Sequence, residues 1–588
     1  MKKMFGKTIM PLLVFALVFS FVVGCGGNQA TPTAAADTSG NATADTSGGG
    51  DVASDAFTKF DPPVTLQIFT GSQGNPFPVG TQNDPVAKAI EDRLGIIMNI
   101  DTNVSNDRMA ALSASGDLGD YFQVGMVPGE IHKQTIKRMS DNGLVLGLKG
   151  LMDQYAPNLK KLEKQVAFWI EQFGFGKDDF YMAPGMVGPY AGGQTTIGVV
   201  FRYDYYEEIG SPDINSAESW LDAVEKMVNN HPTNHAGQKT YGFAFFPEWG
   251  FEAQVNHLAK ILAAFDGKGM EPDYGNAAYF QTEGRVSDHY ADPDSYFWQA
   301  MKFYNQAFQR GLLDPDYLTN TWDSIVEKSN ANRVLSNIWT WSYGTINSEL
   351  EAEVTAYCTI PLKVPNYPIG DAYTMGADYM SYAIPASAKN PEASMRLMDF
   401  FFSEEGTFLL TNGLEGEHWE YKNGAYNWTD KMVEMFRSDT NVALETGIGK
   451  YGNLRGLSNG YIMSSTGLNM VIPLGREDWS EFAKKYCDIY GINNMGDVYV
   501  NVPINSQDLT FASLINPTPD DINEIFIDIY AYCAVEVPLL LGSANDAVFE
   551  AGKAAIIERI KSMGYDEWWA FNYDNFMQAI AQVDKYLN

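Results

Sequence analysis

The chain has 588 residues, 45% of them hydrophobic and 13% aromatic, which is enough apolar material for more than one core. Its 73 acidic residues outnumber the 40 basic ones, and the formal net charge of −33 argues against a nucleic-acid ligand or an anionic membrane surface. Only four cysteines occur (Cys25, Cys358, Cys487 and Cys533) and no Cys-x-x-Cys pair, which argues against a disulfide scaffold and a cysteine-based zinc site.

The first 24 residues have the pattern of a secretory signal peptide. Lys2, Lys3 and Lys7 precede an apolar run that is too short for a confident membrane span. The run ends in VVGC at residues 22–25, which resembles the bacterial lipobox, whose cysteine is lipidated and becomes the mature N-terminus. We therefore predict an exported protein, lipid-anchored through Cys25 to the outer face of the cell membrane. An ordinary signal peptide with an incidental cysteine is the alternative.

Residues 25–56 are predicted to be a flexible linker after the lipidated cysteine. Gly, Ala, Thr, Ser and Asp dominate this stretch, and residues 36–40 are repeated at 44–48. Such a composition cannot form a core. With Cys25 lipidated, three cysteines remain, and we favour no disulfide among them.

From residue 57 onward, strand and helix patterns alternate. The apolar run at 64–70 predicts a strand, and Asp84, Pro85 and Gly95 predict the cap, first turn and end of a helix. The further predictions are strands at 97–101, 121–124, 197–202, 241–246, within 332–341 and at 379–384, and helices at 106–115, 219–229 (opened by a capping box at Ser219), 252–264, 294–310, 391–402 and 566–587. This rhythm predicts two α/β units, in which ligands lie beyond the carboxyl ends of the strands.

Several short segments, in order along the chain, carry a family resemblance. The clearest is IPASAKNPEA at 384–393, which runs into FSEEG at 402–406. The others are NDPVAKAIE at 83–91, LSASGDLGD at 112–120, YAPNL at 155–159, GLLDPDY at 311–317, GLEGEHW at 413–419 and GYDEW at 564–568. As an ordered set they resemble the family-1 extracellular solute-binding lipoproteins of bacterial ABC importers, the maltose-binding-protein-like group, in its long Gram-positive type.

The resemblance implies an α/β, bilobed, periplasmic-binding-protein-like fold, with two α/β lobes joined by a hinge and the ligand cleft between them. The solute-binding domain is then expected at 57–588, with lobe 1 near 57–190 and 366–415 and lobe 2 near 191–365 and 416–588. The implied function is that of a receptor that delivers a carbohydrate, expected to be an oligosaccharide, to ABC permease subunits by hinge closure. We expect a monomer without enzymatic activity.

The resemblance also bears on metal binding, since many long-type members carry a calcium loop of Asp-x-Asp-x-Asn-Gly type. The corresponding stretch here, residues 231–238, lacks the carboxylates, whereas calcium needs about six to eight oxygen ligands. We expect this site to be lost and no cofactor to be required. His231 and His235 are an alternative transition-metal pair, but Pro232 breaks their helical spacing and no third ligand is apparent.

A sugar presents apolar C–H faces and hydroxyl groups, so its site needs flat aromatic rings and side chains that exchange hydrogen bonds. Trp339 and Trp341 lie in the segment NIWTWSY at 337–343, where alternate aromatic residues project to one side of a strand. Trp249 follows the predicted strand at 241–246. We predict that these rings stack on the ligand, and burial in the core is the alternative for each.

The remaining candidates lie near predicted strand ends or in a family-like segment; they are Gln73, Asn75, Arg202, Asp378, Tyr379 and Trp419. For Gln73 and Asn75, turn chemistry is the alternative to binding hydroxyl groups. Arg202 could bind a hydroxyl pair or a carboxylate, or form an ion pair between the lobes.

Three further functions stay open from the sequence. The first is a secreted glycoside hydrolase, which needs two carboxylates at a defined separation, but with 73 acidic residues such pairs are uninformative. No HExxH or P-loop motif is present. The second is a peptide-binding receptor on a similar scaffold, and the third is a structural surface lipoprotein without a small ligand.

Overall fold

The computed structural model describes residues 59–70, 79–102, 106–124, 132–188, 197–274, 277–280, 283–340, 357–364, 367–368, 373–422, 424–437, 441–458, 461–462, 472, 474–479, 481–493, 495, 504–505 and 510–587. The predicted signal peptide, the lipidated Cys25 and the linker lie outside the described residues.

The described strands are β1 (Val64–Phe69), β2 (Gly80–Thr81), β3 (Ile96–Asp101), β4 (Tyr121–Gln123), β5 (Ala183–Gly185), β6 (Ile197–Arg202), β7 (Met270–Tyr274), β8 (Ala277–Phe280), β9 (Arg285–Asp288), β10 (Ser336–Trp339), β11 (Tyr357–Thr359), β12 (Tyr367–Pro368), β13 (Ala377–Ala383), β14 (Trp419–Lys422), β15 (Ala425–Trp428) and β16 (Ile504–Asn505).

The described α-helices are α1 (Pro85–Leu94), α2 (Asn106–Ser115), α3 (His132–Asp141), α4 (Lys149–Tyr155), α5 (Glu163–Phe173), α6 (Tyr203–Glu208), α7 (Ala217–Asn230), α8 (Ala253–Phe265), α9 (Tyr296–Gln309), α10 (Trp322–Asn330), α11 (Pro391–Phe401), α12 (Glu404–Asn412), α13 (Asp430–Arg437), α14 (Val442–Thr446), α15 (Glu481–Tyr490), α16 (Thr510–Leu514), α17 (Asp520–Leu539), α18 (Asp546–Ser562) and α19 (Tyr565–Leu587).

Buried apolar side chains form two large cores, and we call the corresponding parts of the chain lobe 1 and lobe 2. Lobe 1 contains a six-stranded sheet in the order β2-β3-β1-β4-β13-β5, in which β1 is parallel to β3 and β4, and β13 is antiparallel to β4 and β5. Because β1, β3 and β4 are parallel, their carboxyl ends meet at one edge of this sheet.

Lobe 2 contains a three-stranded antiparallel sheet in the order β10-β6-β11 and a second three-stranded sheet, β7-β8-β9. Every residue of β6 is buried, as in a strand that is covered on both faces. Helices α8 and α9 pack side by side. Cys358, Cys487 and Cys533 are free thiols in the lobe 2 core.

The predicted start and end of α1 are confirmed. The Asp84 side chain accepts a hydrogen bond from the Ala87 amide at 2.9 Å, Pro85 occupies the first turn, and Gly95 ends the helix with φ 69°. The same carboxylate is buried against the Lys450 ammonium at 2.7 Å and the Tyr451 hydroxyl. One short cap motif therefore also fixes a segment more than 360 residues away.

Two of the family-like segments meet through buried carboxylates. Asp120 ends LSASGDLGD, and its Oδ1 accepts from the backbone amide of Lys389 at 2.8 Å, inside IPASAKNPEA. Asp399 accepts from the backbone amides of Asn158 and Leu159, both at 2.8 Å, which holds YAPNL against α11. These carboxylates hold lobe 1 together, because each satisfies backbone donors from a distant segment.

Two predicted elements differ from the structure. The cap of α7 is Ser216, whose hydroxyl accepts from the Ser219 amide at 3.1 Å, so the predicted cap at Ser219 is wrong by three residues. Within the fully described stretch 241–246, only isolated bridges form instead of a strand. Tyr241 and Phe243 pair with different segments, one before β10 and one after α9, so no continuous ladder can develop.

The division of the chain between the lobes also differs from the expected one after residue 415. Tyr451 and Leu457 lie in the lobe 1 core, and Phe482 lies in the lobe 2 core. Helix α19 begins in the lobe 2 core with Trp568 and ends in the lobe 1 core with Tyr586. The last third of the chain therefore alternates between lobes, which its helical periodicity could not indicate, because an apolar helix face can pack on either core.

One described helical segment, Asp520–Gly542, is long and apolar enough to cross a membrane as judged by length and composition. Its mean hydropathy is 1.7 over the most apolar window, of which 28% is buried.

Candidate functional site

The crossings of the chain between the lobes show which edge of the lobe 2 sheet faces lobe 1. Val187 lies in the lobe 1 core and Ile197 in the lobe 2 core, so the first crossing ends where β6 begins. Trp339, at the end of β10, pairs with Ile197. Trp339 therefore lies at the edge of the sheet that adjoins the crossing, next to the cleft between the lobes.

Four aromatic rings gather at this edge, and we call them the tryptophan cluster: Phe246, Trp249, Trp322 and Trp339. The rings of Trp249 and Trp322 stack with centroids 5.4 Å apart and planes 30° apart. Trp249 meets Trp339 edge-on at 5.7 Å and Phe246 edge-on at 4.9 Å. Trp322 and Trp339 are buried, whereas Trp249 is partly exposed, so its indole is the ring of the cluster that a ligand can reach.

The loop that carries Trp249 is held on both sides. Glu248 Oε2 accepts a hydrogen bond from the Trp322 amide at 2.8 Å, which ties the loop to the start of α10. Gly250 has φ 95°, and a Cβ there would lie 2.9 Å from the Glu252 carboxylate, so this turn requires glycine. Burial raises the pKa of the Glu252 carboxyl, while its own backbone amide and the Tyr530 hydroxyl act in the opposite direction.

The facing edge of lobe 1 is polar. Thr70 follows β1, and its hydroxyl donates to Gln123 Oε1 at 2.7 Å, at the carboxyl end of β4. Asp378 lies near the start of β13, and its Oδ2 is 3.4 Å from Nδ1 of His132. Since β13 is antiparallel to β4, Asp378 lies beyond the carboxyl end of β4. Thr70 and Gln123 are fully buried and support this edge, whereas His132 is partly exposed, so its imidazole, next to the Asp378 carboxylate, is the group that this edge presents to a sugar hydroxyl.

The structure brings some predicted residues together and separates others. Trp249 and Trp339 meet in the tryptophan cluster, and Asp378 lies on the lobe 1 edge. Arg202 is at the opposite end of β6 from Ile197, about 17 Å away at the usual rise per strand residue. Its Nε donates to Asp204 Oδ1 at 2.8 Å, and its guanidinium lies over the Tyr205 ring at 4.2 Å.

Trp419 is partly exposed and packs within lobe 1. Its ring contacts Phe408 of α12 at 5.0 Å and Tyr426 of β15 at 5.3 Å, and its Nε1 donates to the Gly413 carbonyl at 3.0 Å. These contacts do not join it to the tryptophan cluster. Gln73, Asn75 and Trp341 lie outside the described residues, and for Tyr379 only the backbone, within β13, is described.

The loop at 231–238 is closed by protein groups. Asn234 Oδ1 accepts two backbone amides of the loop, at 3.1 and 2.8 Å. His231 stacks on Tyr205 at 3.5 Å, and its Nε2 is 2.6 Å from Glu208 Oε2. Amide N–H groups thus point into the loop, where calcium would need oxygen ligands. In the described part of the chain, no group of three or more His, Cys, Asp or Glu side chains could hold a metal ion.

Sequence reasoning missed Trp322, Thr70, Gln123 and His132. Trp322 opens α10 directly after the capping box of Thr321, and a tryptophan next to a cap is a signal that could have found it. Thr70 and Gln123 lie at the ends of strands that were predicted correctly, so strand-end position could have found both. His132 follows a stretch without a strand pattern, and only the fold brings it to Asp378.

No family model matches the chain. Among curated proteins, it is similar to the fructooligosaccharide ABC transporter substrate-binding protein FusA of Streptococcus pneumoniae serotype 4 (strain ATCC BAA-334 / TIGR4), with 22% identity over 304 residues. The match covers 47% of this chain and 51% of FusA, so the chain spans about half the length of the curated relative that it matches.

Two solved structures resemble this one along most of its length. S. pneumoniae FusA in complex with kestose gives a TM-score of 0.61 at 15% identity, covering 88% of this chain and 100% of FusA. The alginate-binding protein AlgQ2 without calcium ion gives a TM-score of 0.59 at 18% identity, covering 88% of this chain and 98% of AlgQ2. The predicted bilobed solute-binding fold is thereby confirmed.

Proposed function

We propose that this protein is the solute-binding receptor of an ABC importer and that its ligand is an oligosaccharide. The observation that carries the proposal is the tryptophan cluster at the cleft edge of lobe 2, opposite the polar edge of lobe 1. The fold shared with FusA and AlgQ2 supports the same function.

The chemistry of the two edges matches the two kinds of surface on a sugar. The exposed indole of Trp249 offers a flat apolar face for pyranose or furanose C–H groups, and such stacking excludes water from both surfaces. At the lobe 1 edge, the partly exposed His132, next to Asp378, offers a hydrogen bond to a hydroxyl group, and the buried pair of Thr70 and Gln123 supports this edge. A ligand that touches both edges bridges the lobes.

Bridging provides the mechanism. The segments that cross between the lobes act as the hinge, and the ligand stabilises the closed state because only that state lets both edges contact it. A permease that recognises the closed form then distinguishes loaded from empty receptors. The lipid on Cys25 and the linker to residue 56 would keep the receptor at the outer face of the membrane, near that permease.

We further propose that the protein is not an enzyme, acts as a monomer and needs no metal. FusA is an ABC transporter substrate-binding protein by name, which supports a non-catalytic role. The inward-pointing amides of the loop at 231–238 support independence from calcium.

The test is a thermal-shift screen of the purified protein with neutral and acidic oligosaccharides, including kestose and alginate fragments, and with peptides. A binding sugar should raise Tm by about 2 °C or more once its concentration far exceeds Kd. Mass spectrometry should then recover the sugar intact. Cleaved sugar would favour a hydrolase, a response to peptides alone would favour a peptide receptor, and no response would favour a structural lipoprotein.

A further inference from the structure

Lys260 is a buried cation that the proposed mechanism has not used. It lies on α8 and is only 7% exposed, although lysine is among the residues least often buried without a partner. Within the described part of the chain, no oxygen accepts a hydrogen bond from its ammonium group and no carboxylate pairs with it. Lys133, the more deeply buried lysine of lobe 1, instead donates to Gln172 Oε1 at 2.9 Å and to the Ser513 carbonyl at 3.1 Å.

Two imidazoles flank this lysine. His257, one turn earlier on α8, contacts Trp339 with ring centroids 4.8 Å apart. His289 is 1% exposed and its Nδ1 lies 3.2 Å from Asn256 Oδ1, while its buried Nε2 has no partner among the described residues. We call Asn256, Lys260 and His289 the α8 polar group.

The imidazoles do not neutralise the lysine. Burial lowers the pKa of His257 and of His289 to about 3, and the positive charge of Lys260 acts in the same direction on both. Both rings are therefore neutral near pH 7. The charge of Lys260 is left without a counter-charge from its neighbours.

The face of α8 that carries Lys260 adjoins the tryptophan cluster, because His257, one turn earlier, is partly exposed and contacts Trp339. Helix α8 packs against β12, which belongs to the crossing between Val364 in the lobe 2 core and Met375 in the lobe 1 core. Next to the helix, Ala277 of β8 packs in the lobe 1 core. His257 links the group to Trp339, so it continues the tryptophan cluster along α8 toward the crossing.

Most of the Lys260 side chain is covered, but its ammonium nitrogen is not among the fully buried atoms without a partner, so a ligand can reach it. A carboxylate supplied by a ligand satisfies the ammonium. The unpaired Nε2 of His289 accepts a hydrogen bond from a neighbouring hydroxyl when Nδ1 donates to Asn256. A carboxylate beside hydroxyl groups is the chemistry of a uronic-acid residue.

We infer that the α8 polar group is a subsite for the carboxylate of a sugar, and that the preferred ligand is an acidic oligosaccharide. The inference rests on the proposed function, because it places the carboxylate next to the ring that stacks on the tryptophan cluster. The net charge of −33 repels anions at long range, so the short-range pairing with Lys260 must supply the selectivity.

The test compares oligosaccharides that differ only in charge. Trimers of galacturonate, mannuronate and glucuronate, their methyl esters and free acetate are titrated calorimetrically into the wild type, Lys260→Met and Lys553→Met. Lys553 is the control, a lysine on α18 paired with Glu550 at 2.6 Å. We expect at least one acid to bind about tenfold or more tighter than its ester, and Lys260→Met to remove that preference while Lys553→Met keeps it.

Each remaining outcome is decisive. If acids and esters bind with the same affinity, and Lys260→Met lowers the affinity for both equally, the carboxylate subsite is refuted while the receptor function stands. If free acetate binds as tightly as the acid trimers, the group is a simple anion site and the inference fails. If none of these sugars binds, the inference fails, and the thermal-shift screen with neutral oligosaccharides decides whether the proposed function fails with it. Lys260→Met should also raise the Tm of the ligand-free protein. If Tm falls instead and the preference for acids is unchanged, Lys260 stabilises the fold and does not bind the ligand.

Discussion

The two edges of the cleft differ in their side chains: the lobe 2 edge is aromatic and the lobe 1 edge is polar. In lobe 2 the tryptophan cluster is arranged by ring-to-ring packing, with Trp249 presented on a loop anchored through Glu248. In lobe 1 the corresponding edge consists of polar groups already hydrogen-bonded to one another, such as Thr70 with Gln123. The two edges therefore have different roles in binding. Lobe 2 supplies affinity through apolar contact, and lobe 1 supplies selectivity through directional hydrogen bonds.

Removing the exposed ring of lobe 2 should have the largest effect. Trp249→Ala is expected to weaken oligosaccharide binding about 100-fold, close to 3 kcal/mol, because stacking aromatic residues dominate such sites. Calorimetry of the wild type, the variant and the control Trp479→Ala, a partly buried tryptophan outside the cluster, measures this. If Trp249→Ala binds the oligosaccharide as tightly as the wild type does, the tryptophan cluster of lobe 2 does not contact the ligand.

A change of pH should destabilise lobe 1 selectively. Burial raises the pKa of Asp399 to about 6, although the amides of Asn158 and Leu159 oppose the rise. Because the folded-state pKa exceeds the unfolded one, this carboxyl contributes stability that is full below about pH 4 and is lost as pH rises through about 6, about 3 kcal/mol at most. Urea unfolding at several pH values should show this slope in the wild type.

The matched variant is Asp399→Asn, which cannot titrate. Its stability relative to the wild type should improve as pH rises from 4 to 7, whatever its absolute stability. Parallel pH profiles for the two proteins would show that Asp399 does not carry the dependence.

Changing the polar edge of lobe 1 should have a smaller effect on binding than removing Trp249. Asp378→Asn keeps the shape but removes the charge that faces His132, and we expect about a tenfold loss of affinity, or about 1.4 kcal/mol. The loss should differ between sugars with different hydroxyl configurations, whereas Trp249→Ala should weaken them uniformly. A uniform loss for Asp378→Asn would contradict the assignment of selectivity to lobe 1.

The far end of β6 should matter for stability alone. Arg202→Met leaves Asp204 without its partner and is expected to cost about 1–2 kcal/mol in unfolding free energy, with affinity changed less than about twofold. Parallel denaturation and calorimetry measure both quantities. A large loss of affinity without a loss of stability would restore the sequence-based expectation that Arg202 binds ligand.

Calcium should have the smallest effect. Neither millimolar calcium nor EDTA should shift Tm, because Asn234 already satisfies the amides of the loop at 231–238. A calcium-dependent rise in Tm would show that this loop, or another site, still binds the ion.

Local sequence patterns predicted local structure well. The cap, first turn and end of α1 follow from Asp84, Pro85 and Gly95, and the boundaries of β6 and α2 agree with their patterns. These features depend on interactions within a few residues, which the sequence contains directly. Trp249, which follows an apolar run, is partly exposed, whereas Trp339 is buried in the lobe 2 core, which is the alternative that the sequence left open for it.

Interactions between distant segments could not be predicted. Asp120 lies in a segment that carries the family resemblance and Asp399 lies in α11, yet the carboxylates of both bind backbone amides of remote segments and hold lobe 1 together. Arg202 ends one predicted strand and Trp249 follows another, but the antiparallel pairing of β6 with β10 puts Arg202 at the end of the sheet away from Trp339. The direction in which strands pair and the order in which the chain crosses between the lobes decide which strand ends meet. Local hydrophobic periodicity indicates neither of them.

The central claim is that one sugar bridges the tryptophan cluster and the lobe 1 edge by closing the hinge. Spin labels at Lys88→Cys on α1 and Lys226→Cys on α7, both exposed positions, report the distance between the lobes in a Cys25→Ala background. The three remaining native cysteines are buried and shielded from the label. A saturating oligosaccharide should shorten the distance between the labels in the wild type and should fail to do so in Trp249→Ala. An unchanged distance in a wild-type protein that calorimetry shows to be loaded would contradict the account.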